Sequence, residues 1–187
     1  MRVIAGKYRS RRLKGPGLRR LRPTSDRLRE TLFNVLGPSV EGSDFIDLYA
    51  GTGAVGIEAI SRGANLAVFV ESHPATARLI KQNLQSLEIR GAAEVIEADA
   101  VRGLEQLAIR HLVADFIFLD PPYDETREYD RALNFLDTSH LIAPSGIVIA
   151  EHSRRIELPE RLDRLECTRR LEQGDAVLTF YRLAAAA

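Results

Sequence analysis

A rhythm constrains this chain more than any single residue does. Short, continuous apolar runs at residues 45–49, 66–70, 94–96, 114–119 and 146–150 alternate with stretches of helical periodicity at 54–62, 74–87, 101–110 and 128–137. Strands without a polar alternation are those buried on both faces, and strand–helix repeats of about 20 to 30 residues build doubly wound parallel sheets. Punctuation agrees with the spacing: Gly63 follows the first of these helices, and Pro74 opens the second at its first turn. An earlier helix is announced by Thr24-Ser25-Asp26, carried by Leu28, Leu32, Val35 and Leu36, and stopped by Gly37-Pro38. The tail leaves the rhythm. Residues 165–171 and 176–181 read as two strands joined by Glu172-Gln173-Gly174-Asp175, an antiparallel hairpin at the end of an α/β fold.

Composition matters through its asymmetry. The 187 residues carry no formal net charge, yet the first thirty hold eleven Lys or Arg against two acids, and the remaining 157 hold fifteen against twenty-four. Such a block suggests an arm that meets a polyanion. Arg2, Lys7, Arg9, Arg11, Arg12, Lys14, Arg19, Arg20 and Arg22 are its candidate phosphate contacts, with Tyr8 as a stacking partner. Gly15-Pro16-Gly17 breaks the amphipathic helix that a targeting presequence would need, and residues 1–13 read instead as a short basic strand pair or arm. The single cysteine, Cys167, is expected to pack in a strand. His73, His111, His140 and His152 are expected at the surface or as caps, and no metal-ligand spacing appears. No apolar run is long enough to cross a bilayer, so a cytoplasmic protein is expected.

Ligands of such sheets bind beyond the carboxyl ends of the strands. The first strand delivers Asp47-Leu48-Tyr49-Ala50-Gly51-Thr52-Gly53, with Gly56 beyond, a turn that lets a ligand approach the backbone before the helix begins. The second ends in Glu71, twenty residues past Gly51, placed to accept from ribose hydroxyls. The third ends near Asp99-Ala100, where a carboxylate can accept from an adenine amino group. An adenosine-type cofactor follows, but the glycines do not by themselves separate a nicotinamide from a methyl donor. Asp47 inside the turn suits a cation with an amino-acid tail, and disfavours a pyrophosphate.

The fourth strand ends in Asp120-Pro121-Pro122-Tyr123. Two prolines remove backbone donors and leave carbonyl acceptors, Asp120 adds a carboxylate, and Tyr123 offers a face for a base. A site of acceptors beside a stacking ring suits an amino group on a base, whose lone pair is delocalised and attacks poorly. Holding both its hydrogens aims that lone pair at an electrophile and stabilises the positive charge that grows on nitrogen.

These residues together resemble the class I S-adenosylmethionine-dependent methyltransferases of the amino-directed group. Residues 1–6, 21–34 and 47–53, with Gly174-Asp175, are similar to the RsmD-type enzymes, so that the likeness spans nearly the whole chain. The resemblance implies a Rossmann-like, seven-stranded, mostly parallel sheet with an antiparallel last strand. It implies a basic RNA-holding extension over 1–22 and a methyltransferase domain over 23–187. The activity implied is methylation of guanine N2 at position 966 of 16S ribosomal RNA. Carried over, Asp47, Tyr49, Gly51, Gly53, Glu71, Asp99 and Ala100 hold S-adenosylmethionine, and Asp120, Pro121, Pro122 and Tyr123 are catalytic. Beside the resemblance, the RNA is expected within a small-subunit particle, a monomer is expected because no heptad or second domain appears, and the polar stretch 124–130 is expected to close as a lid. Left open are methylation of adenine N6 or of a protein glutamine, a nicotinamide oxidoreductase, and an assembly factor that keeps only the pocket.

Overall fold

The structure is a computed structural model that describes residues 1–15, 25–122 and 126–185. Its strands form one seven-stranded sheet in the order β3-β2-β1-β4-β5-β7-β6, the mixed, mostly parallel sheet expected. The chain folds as two compact units, Met1–Asp99 and Ala100–Ala187.

In the first unit β1 (Asp44–Leu48), β2 (Leu66–Val70) and β3 (Ala93–Ile96) pair in parallel, with Ile46 opposite Val68 and Val68 opposite Glu94. Phe45, Ile46, Leu48, Ala67, Val68, Phe69 and Val70 are all buried, as two covered faces require. Three helices serve these strands: α1 (Asp26–Leu36), α2 (Ala54–Ser61) and α3 (Pro74–Ser86). Ser25 caps α1, its hydroxyl accepting from Leu28 N at 3.1 Å, and Gly37 at φ 60° ends it in a short 3₁₀ turn. His73 caps α3, its ring nitrogen accepting from Ala75 N, as expected of a histidine before Pro74.

The second unit holds α4 (Ala100–Ile109), β4 (Ala114–Leu119), α5 (Thr126–Thr138), β5 (Ile142–Ser153), β6 (Leu165–Gln173) and β7 (Ala176–Leu183). β4 and β5 are parallel, while β7 pairs antiparallel with both β5 and β6. The tail is the expected hairpin, tightened to a two-residue Gly174-Asp175 turn. Cys167 lies half-buried in β6. β5 is much longer than the 146–150 run suggested. A register shift between Ala114 and Phe116 absorbs Pro144 and Ser145, which stay exposed, and pairing with β7 carries the strand on through Ser153. His152 is the one histidine that departs from expectation. It is 4% exposed, its Nε2 lies 2.8 Å from Thr179 Oγ1, and its ring meets Tyr129 edge-on. Burial lowers its pKa, which keeps the ring neutral.

The basic arm is moored, by its main chain, to a carboxylate. Residues 1–13 form a tight loop with a single bridge, Arg2 to Arg12, in place of the expected strand pair. Its amides at Ile4 and Ala5 donate to Glu58 Oε2 and Oε1 at 2.8 and 3.0 Å. Ser61 takes Tyr8 N on its hydroxyl at 2.9 Å and Lys7 N on its carbonyl at 2.7 Å. Asn83 grips Lys14 from both sides, accepting from its N at 2.8 Å and donating to its O at 3.2 Å. Val3 and Leu13 are buried beneath the loop.

Glu58 is fully buried and also meets Arg62 Nε at 2.8 Å and the fully buried Arg29 at 3.9 Å. Arg29 in turn donates to Arg2 O at 2.6 Å and Asp26 at 3.0 Å. Burial pulls the Arg29 pKa below its ordinary value, with Glu58 and Asp26 opposing the shift.

Gly6 is where the loop comes closest. At φ 77° a Cβ would stand 1.7 Å from the Ser61 carbonyl oxygen, and a backbone atom cannot swing away. Gly6→Ala is therefore expected to detach the loop. Buried Val3 and Leu13 each contribute about 1.5–3 kcal/mol, so the thermal midpoint should fall by several degrees. Hydrogen exchange at the Ile4 and Ala5 amides should accelerate with it; unchanged protection would show that the loop is held otherwise.

Candidate active site

The turn after β1 is built from unusual backbone. Tyr49, Gly51 and Gly53 stand at φ 59°, 55° and 76°, so the chain passes the left-handed region three times in five residues. For Tyr49 this is a strained conformation, the kind that persists where surrounding structure enforces it. Ala50 N donates to Val70 O and Gly53 N to Ala50 O, which fix the turn against β2. Gly56 then lets α2 lie directly on β2: a Cβ there would meet the Phe69 ring at 2.4 Å.

Asp47 does something other than present a charge. It is 2% exposed and its Oδ2 accepts from Gly56 N at 2.9 Å, holding the first turn of α2. Burial pushes its pKa from 3.8 to about 8, with Gly56 opposing and Glu71 adding to the rise. The side chain is therefore mostly neutral at pH 7. The electrostatic argument against a pyrophosphate consequently loses its footing, and Asp47 lies within β1, opposite Phe69, two residues before the turn begins at Tyr49.

The sign of the pH dependence follows. Below about pH 4 both folded and unfolded chains carry the Asp47 proton; between there and about pH 8 only the folded chain keeps it. Its contribution to stability is thus present at low pH and is lost as pH rises through that window. Asp47→Asn keeps an acceptor for Gly56 N without the titration. Urea midpoints should show the variant gaining on the wild type from pH 5 to pH 8. A constant difference would place the ionisation elsewhere.

Glu71 ends β2 as expected, half-exposed, and its carboxylate is fixed by two backbone donors: Gly51 N to Oε2 at 2.9 Å and His73 N to Oε1 at 2.8 Å. A carboxylate oxygen has room for a further donor beyond the one it holds. Residues 47, 49, 51, 53 and 71 are thus brought together around one turn. Asp99 follows β3, half-buried, and Ala100 is buried at the start of α4.

In the second unit Asp120 directly follows β4 and is half-exposed, Pro121 is buried and Pro122 exposed. Tyr123, and with it Asp124 and Glu125 of the expected lid, lies outside the described residues. So do Arg19, Arg20 and Arg22 of the arm, and Pro23-Thr24 before α1. Of the remaining arm candidates, Arg2, Lys7, Arg9, Arg11, Arg12 and Lys14 are all exposed, and Tyr8 is half-exposed with Lys7 Nζ 5.3 Å from its ring centre. Arg11 reaches Ser86 O at 2.9 Å.

Sequence reasoning missed the mooring residues Glu58, Ser61 and Asn83. A signal existed for the first of them. Every residue of α2 is buried, and Glu58 is its only charge; an acid in a helix that is covered all round has to be paired.

The family profile described as conserved hypothetical protein 95 matches residues 1–182. YlbH of Bacillus subtilis, by name a candidate rRNA methyltransferase, is 38% identical over 182 residues, 97% of this chain and 98% of its own. Ribosomal RNA small subunit methyltransferase D of Escherichia coli K12 is 35% identical over 159 residues, 85% of this chain and 78% of its own. Among solved structures, yhhF of Escherichia coli, described as a candidate methyltransferase, superposes with a TM-score of 0.83 at 31% identity, over 100% of this chain and 99% of its own.

Proposed function

Since the chain belongs to the conserved hypothetical protein 95 family, whose relatives include ribosomal RNA methyltransferases, we propose that it methylates guanine N2 at position 966 of 16S ribosomal RNA. Methylation of ribosomal RNA is the coarser part of this reading and follows from the family. The chemistry of Asp120-Pro121-Pro122-Tyr123 supports an amino group on a base as the target, and the particular guanine rests on the resemblance to the RsmD-type enzymes.

S-adenosylmethionine is the cofactor in this reading, and it supplies a methyl group on a positively charged sulfur. The residues present fit such a group. Glu71, already fixed by two amides, is a rigid acceptor for a vicinal diol. The turn at Tyr49–Gly53 keeps its backbone open to an adenosine, and Asp99 is the candidate acceptor for an adenine amine. Asp47 holds the turn in shape.

The observation that carries the proposal is a half-exposed Asp120 followed directly by two residues without N–H groups, at the carboxyl end of β4. Asp120 and the Pro121 carbonyl accept the two hydrogens of the amine, while Tyr123 stacks on the base. Fixed acceptors become more valuable as positive charge develops on nitrogen, so the site favours the transition state over the ground state. Positioning does the rest, because the leaving thioether is neutral and no strong base is needed. The test is transfer of a labelled methyl group to small-subunit particles of differing maturity, followed by mapping of the modified nucleotide. A label on adenine or on protein would reject guanine N2.

The arm supplies the RNA affinity in this reading. Because exposed cations release counterions from phosphates, Arg9→Gln with Arg12→Gln should flatten the slope of log K against log salt by about 0.7–0.9 for each phosphate no longer neutralised. Both side chains are exposed and neither moors the loop, so stability should hold. An unchanged slope would remove these residues from the interface.

A further inference from the structure

We infer that Glu151 is a specificity-determining residue of the same site, accepting the N1–H of the target guanine beside the amine held by Asp120; this rests on the guanine-N2 reading above. The inference comes from register. β4 and β5 are parallel neighbours with Phe118 opposite Ile149 and Leu119 opposite Ala150. Continued one residue past the end of β4, that register would bring Glu151 beside Asp120 at about the strand spacing of 4.8 Å and on the same face. We take these two carboxylate-bearing positions as neighbours where the paired register ends.

Glu151 is 4% exposed, so its acid is held in place at this edge rather than waving in solvent. Its main chain is fixed from two directions. Tyr129 of α5 donates its hydroxyl to Glu151 O at 2.7 Å, and β7 pairs Leu178 with Glu151. The next residue, His152, is tied to Thr179 and edges onto Tyr129, so neighbouring side chains leave this strand end little freedom. The His152 ring takes the face that packs on α5, and alternation sends Glu151 to the other.

The chemistry selects one base. Guanine shows N1–H and the N2 amine as adjacent donors on its Watson–Crick edge, so two adjacent carboxylates match it. Adenine and 2-aminopurine carry a lone pair at N1, which a carboxylate repels. 2-Aminopurine keeps the reacting amine at C2 while N1, the neighbour that Glu151 reads, changes from donor to acceptor. Because it also lacks O6, the change in preference between wild type and Glu151→Gln is the reading that reports on Glu151. Sites built to bind a donor discriminate strongly against analogues that lack it.

The experiment uses 16S ribosomal RNA bearing either guanine or 2-aminopurine at the target position, assembled into the particle that the enzyme accepts. The wild type should favour guanine by roughly 100-fold or more in kcat/KM. Glu151→Gln, whose amide can donate to N1, should narrow that ratio to less than about tenfold. A role confined to packing would lower both rates together and leave the ratio untouched, and that result overturns the assignment. Should Glu151→Gln fail to fold, Glu151→Asp takes its place and should keep the preference for guanine, and a wild-type ratio near one overturns the assignment equally. Absence of methyl transfer to guanine N2 by the wild type would overturn the parent reading as well, which separates the two failures.

Discussion

Replacing Asp120 by alanine is expected to lower kcat for methyl transfer by roughly 100- to 1,000-fold, the usual cost of removing one preorganised polar group from a site that stabilises developing charge. KM for RNA and the affinity for cofactor should change little, because the turn and the Glu71 carboxylate that would hold it belong to other strands. Asp120→Asn is the sharper probe. Its amide oxygen still accepts one hydrogen of the amine but no longer answers the positive charge, so it should retain more activity than alanine and less than the wild type. Single-turnover rates with bound cofactor, alongside calorimetry of cofactor binding, separate these effects. Full single-turnover activity in Asp120→Ala would remove the residue from the chemistry.

The second large effect lies away from the chemistry. Glu58→Ala should cost about 3 kcal/mol of stability, the lower end of the range for breaking a buried ion pair, because the buried Arg29 would keep only the half-exposed Asp26 as a counter-charge. Two arm amides, at Ile4 and Ala5, would lose their acceptor in the same step. Combining Glu58→Gln with Arg29→Met should be milder than the separate effects predict, since the second change removes the charge stranded by the first. Urea denaturation of the single and double variants gives the coupling directly. Additive losses would mean that the Arg29–Glu58 contact carries no energy of its own.

The parallel strands and their helices were legible because the runs are largely apolar and alternate with helical periodicity, with readable stops at Gly37-Pro38 and Gly63. β5 was legible only at its centre. Pro144-Ser145 reads as an end and Glu151-His152-Ser153 as a polar exit, and their strand state comes from β7, which arrives more than twenty residues later. The glycine turn, Glu71 and the Asp120 motif were readable because their spacing after a strand is itself the signal. Asp47 was expected as a charge inside the turn, but it lies in β1, and burial, which sequence does not display, raises its pKa. The arm shows the same division, for its charges are visible in composition while its mooring depends on side chains fifty or more residues away.

That mooring has a consequence for how the surface can change. Glu58, Ser61 and Asn83 grip peptide groups of the loop, not its cations. Apart from Arg11 and Lys14, whose side chains reach Ser86 O and Gln82, the arginines and lysine of the loop can therefore be exchanged without loosening it, whereas Gly6 and the three gripping residues have no comparable latitude. In the proposed reading, RNA contact and attachment are written in different atoms of the same segment. A variant library over positions 2, 7, 9 and 12 would then change RNA preference while the main-chain mooring stays in place.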